Sequence, residues 1–170
     1  MMSDSILACA IVLAGLVGDD SSAGWQARVL ESATDRVHTC MEVTLAARRE
    51  NIPVPLAVAV AWTESKMNRD ARSSVGAYGP FQVLAKYHAD DGWKKDDPNL
   101  IATGARVLKK YMRLAGCTPA VCDHGHLKKA LCHYNSGNTC NIRSRAYAKK
   151  VLNTRRRVSY LLKAFQTVIP

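Results

Sequence analysis

"AVAWTESKMNRDARSSVGAYGPFQ" occupies residues 59–82. It begins inside an apolar run, "PLAVAVAW" (55–62), and breaks into small and polar residues. The run is apolar all round rather than along one stripe, so it predicts a buried helix over 55–66. Pro55 suits the first turn of that helix, where a missing N–H costs nothing. One acid, Glu64, stands where the apolar residues end. Residues 67–78 hold Asn, Arg, Ser and Gly with few apolar side chains and predict an ordered loop.

A carboxyl at the C-terminal end of a buried helix faces the negative end of the helix dipole. Apolar surroundings disfavour its charged form further. Both effects favour a carboxyl that keeps its proton near neutral pH, which is a general acid. Breaking a glycosidic bond needs such a proton on the leaving oxygen. Gly76 and Gly79 let a ligand approach the backbone, and Ser73 and Gln82 offer a hydroxyl and an amide to sugar hydroxyls. Spacing alone also admits a helix-end glutamate in an ordinary surface ion pair.

Outward from this stretch the pattern is helical. Residues 25–51 predict a helix with Val29, Leu30, Ala33, Val37, Met41 and Leu45 as its apolar stripe. Asn51 stops it, and "IPVP" (52–55) makes a rigid turn. "GPFQVLAKY" (79–87) predicts a short helix, and "HADDGWKKDD" (88–97) a surface loop. Asp97 before Pro98 starts a helix over 98–115, with Leu100, Ile101, Ala105, Leu108, Tyr111 and Met112 toward the core and Gly116 ending it. "HLKKALCHYNSG" (126–137) predicts another, and a last helix runs from about 142 to 165 with a break near 153. No run alternates as a strand does. The fold class is mostly α, with little or no strand.

The chain of 170 residues is long enough for one domain with a real core. Its net charge of +10 suits polyanionic partners: nucleic acid, anionic lipid or the acidic polymers of a cell wall. "SILACAIVLAGLVG" (5–18) and the small residues after it predict a signal peptide or membrane-associated leader over 1–24, ahead of a domain over 25–170. The start lacks Lys or Arg, however, so a buried first helix stays open. Without the leader five of the six cysteines remain, an odd number. Cys117 with Cys122, and Cys132 with Cys140, are close enough for small disulfide loops. His124, His126 and His133 lie among them, but neither cysteine pair has a zinc spacing, so no metal is expected.

The stretch from Glu64 resembles the signature of the soluble lytic transglycosylases, which share the goose-type lysozyme fold. Glu64, Ser65, Met67, Asn68, Ala71, Ser73, Gly76, Ala77, Gly79 and Gln82 stand at that signature's offsets. "NLIATGARVLKKYM" (99–112), "ALCHYNSG" (130–137) and "SRAYAKKVL" (144–152) resemble its later blocks, in order. The resemblance covers roughly residues 50–165. It implies a lysozyme-like helical domain with a substrate cleft and Glu64 as the sole acid/base. It also implies that Ser73 and Gln82 hold the sugar, that Tyr134 and Asn135 line the cleft opposite Glu64, and that Tyr147 is a third contact near the acid. Arg69, Pro80, Phe81 and Leu84 depart from the family pattern and bear on glycan preference.

The implied activity is cleavage of the β-1,4 bond between N-acetylmuramic acid and N-acetylglucosamine, leaving a 1,6-anhydro end, with no cofactor. A hydrolytic muramidase on the same bond is the alternative, and a non-catalytic basic module for wall polymer or nucleic acid is another. Two-carboxylate hydrolysis needs a second acid. Asp70, Asp90 and Asp91 are nearest in sequence, and Asp70, between Arg69 and Arg72, reads as ion-paired. Lys149, Lys150 and "RRR" (155–157) give the last helix a basic face without interleaved aromatics, which disfavours specific nucleic-acid binding. The expected partner is peptidoglycan, with a monomer acting in the periplasm, outside the cell or at a wall reached by phage. A secretion, conjugation or phage-tail assembly is the expected setting.

Overall fold

The computed structural model describes residues 2–18, 31–88, 100–118, 122–137 and 139–168. In chain order the elements are α1 (Met2–Val17), α2 (Ala33–Arg49), α3 (Val54–Ser65), β1 (Ala77–Tyr78), β2 (Val83–Leu84), α4 (Ala85–His88), α5 (Leu100–Leu114), α6 (His124–Ser136) and α7 (Ile142–Val168). The expected mostly α class is what is found.

Helix α3 is the axis of the core. Leu56, Ala57, Val58, Ala59, Val60, Ala61 and Trp62 are all buried, as an apolar-all-round helix requires. Its broadest packing partner is α7, and α2 lies on another side. Lys66 then enters the left-handed region at φ 57° and closes the helix through its N–H to the Trp62 carbonyl. The reversal therefore falls two residues after Glu64 and fixes where the acid leaves the core.

Several boundaries differ from expectation for identifiable reasons. The stretch 79–87 is not one helix. Gly79 (φ 72°) and Gln82 (φ 48°) are left-handed, and the Gln82 N–H bonds back to the Gly79 carbonyl at 3.1 Å. That tight turn lets β2 pair antiparallel with β1, Ala77 opposite Leu84 and Tyr78 opposite Val83, before the short α4 begins. Helix α6 starts two residues early because the Asp123 carboxylate caps it, accepting from the His126 N–H at 2.9 Å. Helix α7 has no break at 153, since Val151, Leu152 and Val158 continue one buried side. In α2 the buried face is Cys40, Val43, Ala46 and Ala47, and Leu45 is exposed. Asp97, Pro98 and the 88–97 loop beyond His88 lie outside the described residues, as do Val29 and Leu30.

Phe81, at the tip of the turn, is fully buried against α5. A β-carbon on Gly104 would stand 2.5 Å from its side chain, so only glycine permits this approach.

Helix α1 packs on α2 and α7 and buries Cys9, Val12, Leu13 and Leu16. Arg157 donates to the Gly15 carbonyl at 2.9 Å. Cys9 is bonded to Cys40, and the pairs Cys117–Cys122 and Cys132–Cys140 are also joined. The odd count of a leaderless chain thus becomes an even one when Cys9 is present. With these bonds made, the thiols are not available as zinc ligands. No described helix is long and apolar enough to cross a membrane.

Candidate active site

Glu64 ends the last full turn of α3 with its side chain largely out of water. The Tyr147 hydroxyl, from α7, donates to its Oε1 at 2.6 Å. The packing of α3 on α7 brings the two together across 83 residues of chain. Burial pushes the Glu64 carboxyl up from 4.5 to about 7, while the Tyr147 hydrogen bond and the charge of Lys150 pull it part of the way back. The acid is therefore poised to hold or release a proton near neutral pH.

Tyr134, on α6, faces the same place from another side. Its hydroxyl donates to the Phe81 carbonyl at 2.5 Å, which ties α6 to the turn after β1. Burial and then the Glu64 charge raise both Tyr134 and Tyr147 well above the ordinary phenol range, so both stay neutral donors. The Tyr134 ring meets Tyr111 edge-on at 5.9 Å, and Tyr111 meets the buried His88 edge-on at 6.2 Å.

The other expected residues are placed differently. Ser73 braces its own loop: its Oγ accepts from the Ala77 N–H at 2.9 Å, and its N–H donates to the Ala77 carbonyl at 3.0 Å. Gln82 donates through Nε2 to the carbonyls of Ala71 (3.2 Å) and Gly79 (3.0 Å). These two side chains shape the loop beside the acid, and the carbonyl oxygen of Gln82 is not used in doing so. Asn135 is exposed in the last turn of α6. The helix end is closed without it, by the Gly137 N–H on the His133 carbonyl.

Among the described residues no other carboxylate acts on Glu64. Glu42 pairs with Arg69, Glu50 with Lys109 at 3.3 Å, and Asp123 with His126 at 2.9 Å. The expected ion pair of Asp70 is altered accordingly: Arg69 turns to Glu42, and Arg72 lies over the Tyr78 ring at 5.3 Å. Asp90 and Asp91 lie outside the described residues.

Sequence reasoning missed Lys150 as a neighbour of the acid and took Tyr111 for a core residue. Lys150 lies three residues after Tyr147, hence on the same side of α7, and that spacing was a usable signal. Nothing in the sequence marks the Tyr111–Tyr134 contact.

A helical domain that lodges one acid at a buried helix end, beside two tyrosines from later helices, is of the lysozyme-like class. The chain belongs to the transglycosylase SLT domain family, whose model matches residues 42–155. Its fold is similar to that of the lytic transglycosylase Slt of Pseudomonas aeruginosa, solved as an inactive mutant with a glutamate changed to glutamine. The TM-score is 0.59 and the identity 19%, over 72% of this chain and 24% of that one. The chain therefore spans about a quarter of the length of that relative. No curated protein matches it.

Proposed function

We propose that this chain is a peptidoglycan lytic transglycosylase in which Glu64 is both the acid and the base. The observation that carries the reading is a single buried carboxyl, held near pH 7 and hydrogen-bonded by Tyr147, with no second carboxylate acting on it among the described residues. Protonated Glu64 gives its proton to the oxygen linking N-acetylmuramic acid to N-acetylglucosamine. The C1–O bond breaks, and its electron pair leaves with that oxygen. The substrate's own acetamido oxygen supports the electron-poor C1. Glu64, now a carboxylate, removes the proton of the muramoyl 6-hydroxyl, whose oxygen bonds to C1. A 1,6-anhydro end forms, no water is consumed, and Glu64 regains its proton.

A proton affinity near neutrality suits both half-steps, because neither form of the acid is strongly favoured over the other. Burial favours the acid form, and Tyr147 and Lys150 support the carboxylate while it exists. The substrate roles proposed for the remaining residues follow from their places. Tyr134 and Tyr147 flank the reacting bond, Gln82 offers its free carbonyl oxygen to a sugar hydroxyl or amide, Ser73 holds the loop in shape, and Asn135 meets the glycan from solvent. The catalytic domain is assigned to residues 25–170, with α1 docked on it through its buried face and the Cys9–Cys40 bond, and with action in the periplasm, outside the cell or at a wall reached by phage. Three disulfides fit those oxidising settings.

Muropeptide mass spectrometry after digestion of purified peptidoglycan tests the reaction. Anhydro ends, lighter by one water than reducing ends, are expected. Reducing ends alone would replace this mechanism with hydrolysis by the same acid. Glu64→Gln should keep the fold and lose nearly all cleavage.

A further inference from the structure

A second concave site lies away from Glu64. Helices α6 and α7 enclose a groove of about 420 Å³ between them. His124 and Lys128 of α6 line it, with Arg145, Lys149 and Arg156 of α7. Ala146, Leu152 and Asn153 complete it, so its wall holds no carboxylate and no Phe, Tyr or Trp, and its one ring is the His124 imidazole. All five basic side chains are exposed or partly exposed at its rim. None of Lys128, Arg145, Lys149 or Arg156 is ion-paired among the described residues, and Arg145 spends one donor on the Cys140 carbonyl at 3.3 Å.

Arg145, Lys149 and Arg156 recur four and then seven residues apart, which sets them along one side of a helix. Their rises are about 6 Å and about 10 Å, a ladder of charge that suits a chain bearing repeated anionic groups better than one small ion. Tyr147 is two residues from Arg145 and so projects roughly opposite, about 200° round the helix. The groove and the acid thus occupy different sides of α7. The other basic cluster differs in kind. Arg106, Lys109, Lys110 and Arg113 on α5 surround Glu50, which already neutralises Lys109.

We propose that the α6–α7 groove is an exosite for a linear phosphate-bearing polymer of the polyol-phosphate kind found in cell walls. The occupant is chosen on shape and lining. A concave channel receives a chain rather than the plane of a bilayer. A lining whose one ring is the exposed His124 imidazole gives successive nucleobases no row of rings to stack on, so nucleic acid would gain chiefly the charge term. The site needs no participation from Glu64 and stands or falls separately from the catalytic assignment.

Binding of a synthetic glycerol-phosphate oligomer to the full chain tests the proposal, followed by calorimetry with the Glu64→Gln variant beside the native chain. Both are expected to bind alike. Four cations meeting phosphates on a flexible chain give a slope of log affinity against log salt of about −3. Affinity then falls about fifty-fold between about 50 and about 200 mM salt. Lys149→Gln combined with Arg156→Gln should halve that slope and weaken binding at least about ten-fold at low salt. Cleavage of short peptidoglycan fragments that carry no polyol phosphate should stay unchanged, since neither residue adjoins the acid. Lys128→Gln alone, on the other helix, should reduce the slope by about one cation's share. The control Arg106→Gln with Arg113→Gln should leave both quantities in place. Equal losses in the control would overturn the groove as the site. A thymidine decamer, or vesicles rich in anionic phospholipid, binding as tightly as the oligomer would overturn the choice of polymer.

Discussion

Replacing Glu64 by glutamine should stabilise the protein, and by an amount that depends on pH. The carboxyl sits at about 7 when folded and at 4.5 in its ordinary state. Below pH 4.5 both folded and unfolded chains hold the proton, and the difference contributes nothing. Between 4.5 and 7 the unfolded chain releases the proton while the folded chain retains it. Stability then falls by about 1.4 kcal/mol per pH unit. Above 7 both states are ionised and the loss is complete, at about 3 kcal/mol. The side chain is partly buried, so solvent screens a share of this and the figure is an upper bound. Glutamine does not titrate, and its amide oxygen can still accept from Tyr147. The variant should therefore match the parent near pH 4 and exceed it by up to about 3 kcal/mol near pH 8, or roughly 6–12 °C in Tm for a chain of this size. Urea denaturation of both proteins at half-unit pH steps measures this. Two parallel stability curves across that window would refute a buried, proton-holding acid, whatever the variant did to catalysis.

Other outcomes follow from the same geometry. The kcat/KM for wall cleavage should decline above about pH 7, because the form of Glu64 that donates the proton is lost there; an unchanged rate to pH 9 would count against it. Tyr147→Phe removes a bond that favours the carboxylate, so the alkaline limb should move to higher pH while kcat drops about ten-fold; a limb moving to lower pH contradicts the assigned role. Gly104→Ala should cost about 1–3 kcal/mol and reduce activity as well, since Phe81 must shift and its carbonyl holds Tyr134; full activity in a destabilised variant would separate the two effects. Removing Cys9–Cys40 by paired Cys→Ala changes should cost about 4 kcal/mol, for a loop of 31 residues. Removing Cys117–Cys122, with a separation of 5, should cost about 2 kcal/mol, and equal costs in urea would defeat the loop-entropy account.

The helical frame was legible where one local signal dominated. Uniform apolarity announced α3, the periodic spacing of Ile101, Ala105, Leu108 and Met112 gave α5, and Asn51 and Gly116 marked helix ends at left-handed backbone. The small hairpin was not legible. Its turn depends on Gln82 adopting positive φ, stabilised by its own amide on two carbonyls, and a non-glycine residue does not advertise that conformation. The place of Glu64 at the end of an apolar run raised the acid reading beside the more ordinary one of a surface ion pair, and the family resemblance tipped the choice. Its hydrogen bond to Tyr147 could not be derived from spacing, because it spans 83 residues and forms only once α7 lies on α3. The family resemblance supplied that partner. Ser73 and Gln82 show the converse: their positions were readable, but the Ser73 hydroxyl and the Gln82 amide nitrogen turn inward to hold backbone, a preference decided by local loop geometry.

The three disulfides have a distribution with mechanical meaning. One ties α1 to α2, one closes the connection between α5 and α6, and one closes that between α6 and α7. None crosses from α3 to α7, where acid meets tyrosine. The periphery is riveted while the working seam is held by side-chain packing and a hydrogen bond. That seam is also the broadest helix contact in the fold, so its amide protons should be among the last to exchange, and a reductant acting on the rivets should loosen the periphery before it.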